Sequence, residues 1–395
     1  MKIYKKENVY DAALSRIRTI FDEFKNVVVG FSGGKDSTVT LQLALIVARE
    51  KDRLPLKVAF LDQEAEWECT IDYVREVMSN PDIEPLWYQM PFKLFNATST
   101  EEQWLECWDL SKEKDWIRPK EPGAIVENVY KCDRFAELFT KIFDHDYPNE
   151  PAAYLAGVRC EESPTRFVGL THHACYKWMT WGKVLNKKTQ HFTFYPLYDW
   201  SYTDVWKAIF DNSWAYCKLY DYQYMYGVPV QGMRVSNVHH ETAVHALFYL
   251  QEIEAANYSK IVNRIKGIDT AGKSGKDDFF VKDLPFMFKD WKEYRDFLVV
   301  KLVKEDQRHL FDEKFAHMDE QYADMANINI LHKAHVQTIL TNDFYFTKLT
   351  NFERSPSVYT FRKFKKNGIK SIDPKFRKNR FIKIEDQTVN QEELI

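Results

Sequence analysis

The stretch VVVGFSGGKDSTVTLQLAL, residues 27–45, constrains the fold of this chain more than any other segment. An apolar, strand-like run precedes two glycines, and a run with apolar residues at helical spacing follows them. Because glycine weakens both strands and helices, its presence at this junction needs another cause. The N-terminus of a helix offers free N–H donors and a positive dipole end, and glycine lets an anion approach the backbone. The junction therefore predicts a phosphate-binding turn.

The six residues of this turn are the candidate nucleotide ligands: Ser32, Gly33, Gly34, Lys35, Asp36 and Ser37. Glycine amides, serine hydroxyls and the Lys35 ammonium are all suitable donors to phosphate oxygens. The turn is not a Walker A loop, because only three residues separate Gly30 from Gly34 and Asp36 replaces the magnesium-binding Ser or Thr. The alternative is a glycine turn that only caps a buried helix.

Strand-like and helix-like segments alternate through the first part of the chain. Strands are predicted at 27–31, 56–62, 84–90 and 152–159, and helices at 8–24, 36–49 and 66–78, with another beginning near Ser201 or Thr203. This alternation predicts an α/β fold with a doubly wound parallel sheet. We expect a nucleotide-binding domain over 1–240, in which 92–150 is an insertion or substrate-facing region. A mainly helical extension over 241–360 and a basic tail over 361–395 follow.

Composition limits the classes of function. A length of 395 residues suggests two domains, and a net charge of -3 gives no overall polyanion-binding signature. Six scattered cysteines without a C-x-x-C pair argue against a zinc ribbon and an iron–sulfur cluster. The paired histidines at 172–173 and 239–240 also lack ligand spacing, so no zinc is expected. Neither a signal peptide nor a membrane-spanning run is predicted, so we expect a cytoplasmic protein without membrane contact.

Residues 32–37, SGGKDS, resemble the signature of the PP-loop ATP pyrophosphatase superfamily. The chain is most similar to its branch of phosphoadenosine phosphosulfate (PAPS) reductases and ATP sulfurylase small subunits, which has an adenine nucleotide alpha-hydrolase-like fold. Three further blocks follow in the family's order: AFLDQEAEW at 59–67, LAGVRCEESPTR at 155–166 and YPLYDWSYTDVWKAI at 195–209. The resemblance implies an adenine nucleotide ligand, ATP or PAPS, together with Mg²⁺.

The same resemblance implies roles for individual residues. Asp62, at a predicted strand end, is the candidate for a ribose or magnesium contact, and Glu64 is a weaker one. Arg159 and Arg166 would hold sulfate or phosphate oxygens, with Glu162 orienting one of them. The catalytic candidates are thus Lys35, Asp62, Arg159 and Arg166. The alternatives are a solvated carboxylate at a strand end and a pair of structural surface arginines.

The chain departs from the reductases in its cysteines. None follows Cys217, so the late redox cysteine of a PAPS reductase is missing, as is the cluster motif of adenylyl sulfate reductases. Only Cys132 and Cys160 lie in segments that resemble the site, and a structural role fits either of them. The chain also resembles a subgroup of PAPS-reductase-domain proteins called IbrA-like. The resemblance lies in its length, the WIRPKEP segment at 116–122 and the helical C-terminal half. That resemblance implies a ParB-like nuclease-fold partner.

Two other segments leave alternatives open. The tail after residue 360 interleaves lysine and arginine with phenylalanine, which favours either nucleic acid contact or a solvated basic face. The GIDTAGKS segment at 267–274 matches a Walker A pattern, but a helix-like run precedes it, so a lysine-bearing turn is expected. Arg234 is a further candidate for a substrate anion, or a structural residue.

Three functions follow from these observations. The first is ATP-dependent adenylyl transfer with release of pyrophosphate. The second is reduction of a sulfonucleotide such as PAPS with an atypical thiol donor, and the third is a nucleotide-sensing regulator that acts with a ParB-like protein and DNA.

Overall fold

The structure is a computed structural model, and it forms two compact units. It describes residues 6–96, 98–99, 102, 104–235, 238, 246–269, 283–325, 327–341, 343–344, 346–355, 357–359 and 361–362, with the backbone of 371–372 and 381–382. The first unit comprises residues 1–95 and 104–268, and the second comprises 96–103 and 269–395. No helix among the described residues is long and apolar enough to span a bilayer.

A six-stranded sheet forms the centre of the first unit. Its strands are β1 (Asn26–Gly30), β2 (Leu56–Leu61), β3 (Ile83–Tyr88), β6 (Ala152–Leu155), β7 (Gly182–Asn186) and β8 (His191–Phe194). The spatial order is β3-β2-β1-β6-β8-β7, and every neighbouring pair is parallel except β7 with β8. The strand order reverses at β1, and ligands of open α/β sheets bind at such a switch point. The predicted phosphate turn directly follows β1.

Helices of the first unit alternate with these strands along the chain, and several of them pack against the sheet. They are α1 (Val9–Glu23), α2 (Lys35–Glu50), α3 (Glu68–Met78), α4 (Phe135–Asp146), α5 (Pro164–Thr171), α6 (Tyr202–Asp211), α7 (Leu219–Met225), α8 (Leu247–Ile253) and α9 (Ala255–Arg264). The predicted cap at Ser201 is confirmed: its hydroxyl accepts from the Asp204 N–H, and the Asp204 carboxylate accepts from the Ser201 N–H. The predicted mostly parallel α/β fold is thus confirmed.

Two parts of this unit differ from the predicted elements. The strand expected over 152–159 ends at Leu155, because the chain then turns across the N-terminus of α2. Residues 92–150, which have no clear sequence period, contain the antiparallel hairpin of β4 (Phe92–Phe95) and β5 (Trp104–Cys107), followed by α4. The β7–β8 hairpin was not predicted.

The second unit is mainly helical, as predicted for the C-terminal part. Its helices α10 (Trp291–Leu302), α11 (Arg308–Gln321), α12 (Asn329–Leu340) and α13 (Thr347–Arg354) enclose a core that includes Phe311, Phe315 and Leu331. Strands β9 (Ser371–Ile372) and β10 (Phe381–Ile382) pair antiparallel. Most of the basic tail, the histidines at 239–240 and most of the GIDTAGKS segment lie outside the described residues.

Candidate functional site

The conformation of the turn between β1 and α2 is fixed by a glycine and by hydrogen bonds of its own serine side chains. Gly33 has φ +72°, a left-handed conformation that favours glycine, and a Cβ there would lie 2.8 Å from Thr70 Cγ2. The Ser37 hydroxyl donates to the Gly34 carbonyl at 2.9 Å and lies 3.2 Å from the Ser32 amide nitrogen, which donates to it. The serines therefore bind within the turn and fix its shape.

Four backbone N–H groups of this turn have no acceptor among the described residues. They belong to Gly33, Gly34, Asp36 and Ser37. Gly33, Gly34 and Ser37 are buried, and Lys35 begins α2. Because unpaired buried amides are costly, a cluster of them at a helix N-terminus fits an anionic ligand. The loop geometry thus agrees with the predicted phosphate site.

Two cations converge on the carboxylate of Asp36. The Lys35 ammonium donates to Asp36 Oδ2 at 2.9 Å, and the guanidinium of Arg159 donates to Asp36 Oδ1. Both cationic side chains are about nine-tenths buried, with exposed fractions of 10% for Lys35 and 6% for Arg159. Asp36 therefore orients two positive charges beside the free amides, and its own charge is offset.

The loop after β6 lies directly against this turn. A Cβ at Gly157 would lie 2.6 Å from the Asp36 carbonyl carbon and 2.8 Å from the Ser37 nitrogen, so only glycine lets the two backbones approach. Arg159 follows two residues later, and its N–H donates to Glu162 Oε1 at 2.9 Å. The residues predicted in the segments after β1 and after β6 are thus brought together.

Three arginines lie close enough in this region for their charges to interact. Arg166 pairs with Glu162, and it interacts electrostatically with Arg159 and Arg234. Burial lowers the pKa of Arg166 below its ordinary value, and the like charges of Arg234 and Arg159 act in the same direction. A bound anion would relieve this repulsion. Glu162 thus pairs with Arg166 and also accepts from the backbone N–H of Arg159; that it orients an anion-binding arginine stays a prediction.

Tyr220 contacts the turn from α7, and this contact was not predicted from the sequence. Its buried hydroxyl accepts from the Lys35 N–H at 3.0 Å, and the Lys35 ammonium lies 5.6 Å from the centre of its ring. The ring packs edge-on against Trp206, with centroids 5.2 Å apart. Nothing in the local sequence around Tyr220 indicates this contact, which spans 185 residues.

Asp62 lies at the end of β2 and is fully buried. One carboxylate oxygen accepts from Trp87 Nε1 and Gln89 Nε2, each at 2.9 Å, and the other accepts from Arg118 and from the Glu64 N–H. Four donors thus surround this carboxylate. It would have to exchange one of them to bind ribose or magnesium, and its role as a metal ligand stays a prediction.

A second buried carboxylate lies two residues away. Glu64 Oε1 accepts from Arg264 Nε at 2.6 Å, and Glu64 Oε2 accepts from Arg264 Nη2 at 3.0 Å and from the Trp108 N–H at 2.7 Å. Arg264 belongs to α9 and is 3% exposed, while Glu64 is fully buried. This bidentate pair fixes the loop after β2. The two residues are 200 positions apart in the chain, so no local sequence pattern predicts this pair.

Glu66 is buried in the same loop, and its protonation should affect stability. Burial, and secondarily the charge of Asp62, raise the pKa of Glu66 from 4.5 to about 8. Since the folded state then binds a proton that the unfolded state has lost, stability should fall as the pH rises from about 5 to 8. We expect Glu66→Gln, which mimics the protonated carboxyl, to become more stable relative to the wild type across this range. Urea unfolding at both pH values measures the difference, and parallel pH curves for the two proteins would contradict it.

The two candidate thiols differ in their surroundings. Burial raises the pKa of Cys160 above its ordinary value, and Asp199 adds to the shift. Cys132 is partly buried, and its sulfur donates to the Arg134 carbonyl. The raised pKa makes Cys160 a poorer nucleophile. Within the described ranges, no three His, Cys, Asp or Glu side chains are grouped to hold a metal ion.

Comparison with known families divides the chain in two. Residues 26–226 match the model of the phosphoadenosine phosphosulfate reductase domain. Residues 227–383 match a domain of unknown function, DUF3440. The first match includes the phosphate turn, Asp62 and both predicted arginines.

Individual proteins with a similar sequence or structure are distant. The chain is 28% identical over 331 residues to the uncharacterized protein YbdN of Escherichia coli strain K12, which covers 78% of this chain and 80% of that protein. An FMN adenylyltransferase of Candida glabrata, in complex with FMN and an ATP analogue, is 16% identical with a TM-score of 0.34, covering 56% of this chain and 65% of that one. A PAPS reductase of Candida auris, in a phosphate complex, is 15% identical with a TM-score of 0.31, covering 56% of this chain and 93% of that one.

Proposed function

Because the chain belongs to the phosphoadenosine phosphosulfate reductase domain family, we propose that it binds ATP at residues 32–37 and transfers the adenylyl group to an acceptor. The unpaired amides of the turn support this proposal most directly, because free amides at a helix N-terminus can donate to phosphate oxygens such as those of the β- and γ-phosphates. Lys35 and Arg159 supply positive charge beside them. Pyrophosphate would be the leaving group.

The reaction would depend on positioning and charge. An acceptor oxygen attacks the α-phosphorus in line as the bond to the bridging oxygen of pyrophosphate breaks. Lys35 and Arg159 stabilise the charge that develops on the phosphate oxygens, and Arg166 with Arg234 holds an anionic acceptor. Arg166 is 45% exposed, so an incoming molecule can reach it.

Magnesium enters this proposal as part of the ATP substrate. Asp36 in the turn and Asp62 after β2 are the candidate carboxylate ligands. Both already accept hydrogen bonds from cationic or amide groups. With these hydrogen bonds in place, the two carboxylates do not fit a resident metal ion. ATP would carry its own cation, and the protein would hold the phosphates.

The surroundings of Cys160 favour transfer over reduction. Reduction of a sulfonucleotide needs a thiolate nucleophile, and the pKa of Cys160, next to Arg159, is raised by burial. Adenylyl transfer needs no thiol, and the same anion site serves it.

Pyrophosphate release from ATP tests the proposal. We expect release to depend on an anionic acceptor in a panel of phosphate, sulfate and carboxylate compounds. Arg166→Gln should lower kcat/KM about 10- to 100-fold, because this is the change expected from the loss of one hydrogen bond between charged groups. Arg18→Gln, on an exposed pair with Glu50, is the control and should leave kcat/KM unchanged. ATP binding without pyrophosphate release for any acceptor would contradict adenylyl transfer, and sulfite release from PAPS would favour the reductase.

A further inference from the structure

Two cysteines that are far apart in sequence meet behind the phosphate turn. Cys69 lies in the first turn of α3, and Cys217 lies two residues before α7. Cys217 Sγ lies 3.6 Å from the Cys69 carbonyl oxygen, to which it donates, and 3.7 Å from the hydroxyl of Thr70, the residue after Cys69. Both thiols are free, Cys69 is partly exposed and Cys217 is fully buried. The two cysteines thus lie side by side, and Cys69 is the more exposed of the two.

The two sulfurs are chemically unequal. The neighbouring Cys69 thiol lowers the pKa of Cys217, and the Leu219 N–H and Thr70 act in the same direction. Cys217 raises the pKa of Cys69 above its ordinary value, and burial adds to the effect. Cys217 therefore becomes a thiolate more readily, whereas Cys69 is the more exposed residue.

The cysteine pair is connected to the turn on both sides. On α3, Thr70 follows Cys69 and packs where a Cβ of Gly33 would lie, with its hydroxyl 3.7 Å from Cys217 Sγ. On α7, Tyr220 follows Cys217 by three residues and accepts from the Lys35 N–H. If either cysteine moves, Thr70 or Tyr220 must therefore move as well, and both residues contact the phosphate turn.

We propose that Cys69 and Cys217 form a reversible disulfide that takes small-molecule disulfides as its oxidant, and that the oxidised protein binds ATP more weakly. Cys69, the more exposed sulfur, loses its proton to the solvent and attacks the small disulfide, forming a mixed disulfide and releasing one thiolate; because the pKa of Cys69 is raised, this step should be slow at neutral pH and faster as the pH rises. The Cys217 thiolate then attacks the Cys69 sulfur and releases the second. The two protons of the cysteines leave with the two small thiols, so atoms and electrons balance.

The effect on ATP follows from geometry. A disulfide fixes the two sulfurs about 2.05 Å apart, closer than any non-bonded contact. Since Cys217 and Thr70 are buried in a close-packed region, their backbone segments must move with the sulfurs. This part rests on the proposed ATP site, whereas disulfide formation does not. By linkage, ATP should disfavour oxidation by the same factor.

Equilibration of the full chain in buffers of reduced and oxidised glutathione tests both parts. Mass mapping of alkylated peptides should find a Cys69–Cys217 cross-link, lost in Cys69→Ser and Cys217→Ser but kept in Cys175→Ser. Saturating ATP should reduce the ratio of oxidised to reduced protein about tenfold, and the oxidised protein should bind ATP about tenfold more weakly.

The outcomes separate the two proposals. Absence of the cross-link in the wild type at every glutathione ratio overturns the disulfide, whatever the protein binds. A cross-link whose equilibrium ATP does not change, in a reduced protein that binds ATP, overturns the coupling. A cross-link in a reduced protein that fails to bind ATP supports the disulfide and overturns the proposed function.

Discussion

Arg264→Met should lower the free energy of unfolding of the first unit by about 3–5 kcal/mol. The substitution leaves the carboxylate of Glu64 buried with one remaining hydrogen-bond donor, the Trp108 N–H. It also frees the Glu106 carbonyl, to which Arg264 donates at 2.7 Å. The expected loss of stability therefore comes mainly from removing the positive charge that pairs with the buried Glu64 carboxylate. Chemical denaturation at neutral pH measures the change.

Two further variants separate this effect from the loss of side-chain packing. Glu64→Gln with Arg264→Met removes both charges and should recover part of the loss, because no buried charge then remains unpaired. Arg18→Met breaks an exposed arginine pair with Glu50, whose side chains are 41% and 40% exposed, and should cost at most about 1 kcal/mol. Equal losses in Arg264→Met and Arg18→Met would show that the buried pair has no special role.

Gly33→Ala should weaken ATP binding about 100-fold or more. Its φ of +72° is strained for alanine, and the new Cβ would lie 2.8 Å from Thr70 Cγ2, so the turn must change shape. Losing two hydrogen bonds from amides to charged phosphate oxygens accounts for a change of this size. Calorimetric titration with ATP measures the dissociation constant.

Gly169→Ala is the matched control for this variant. A Cβ at Gly169, on α5, would have no heavy atom within 4 Å, so ATP affinity should stay at the wild-type value. Thermal unfolding of both variants shows whether Gly33→Ala remains folded. A folded Gly33→Ala protein with wild-type affinity would contradict the predicted role of the turn.

Local patterns in the sequence were sufficient for the turn and its flanking elements. A strand, two glycines and a helix follow one another between residues 26 and 50. The chemistry of glycine and of a helix N-terminus determines what such a junction can bind. The arginines at 159 and 166 were found through a resemblance to family motifs. The structure brings Arg159 to Asp36, which no local pattern shows.

The features of the fold and of the candidate site that were not predicted depend on contacts between segments far apart in the sequence. Arg264 and Tyr220 reach the site from helices with ordinary amphipathic patterns, so nothing marks them as partners of Glu64 and Lys35. The β7–β8 hairpin was missed because the exposed, lysine-containing β7 does not alternate as a typical strand does. Burial of Asp62 by Trp87 and Arg118 likewise arises from the fold.

The most direct test of the ATP site observes the glycine amides themselves. The chain contains 13 glycines, so a protein labelled with ¹⁵N only in glycine gives a simple amide spectrum even at 47.0 kDa. Gly33→Ala and Gly34→Ala identify their two signals. On addition of ATP we predict that both signals shift, with the Gly169 signal unchanged as a reference. If the Gly33 and Gly34 signals stay in place at saturating ATP, the phosphates do not bind at this turn and the account is wrong.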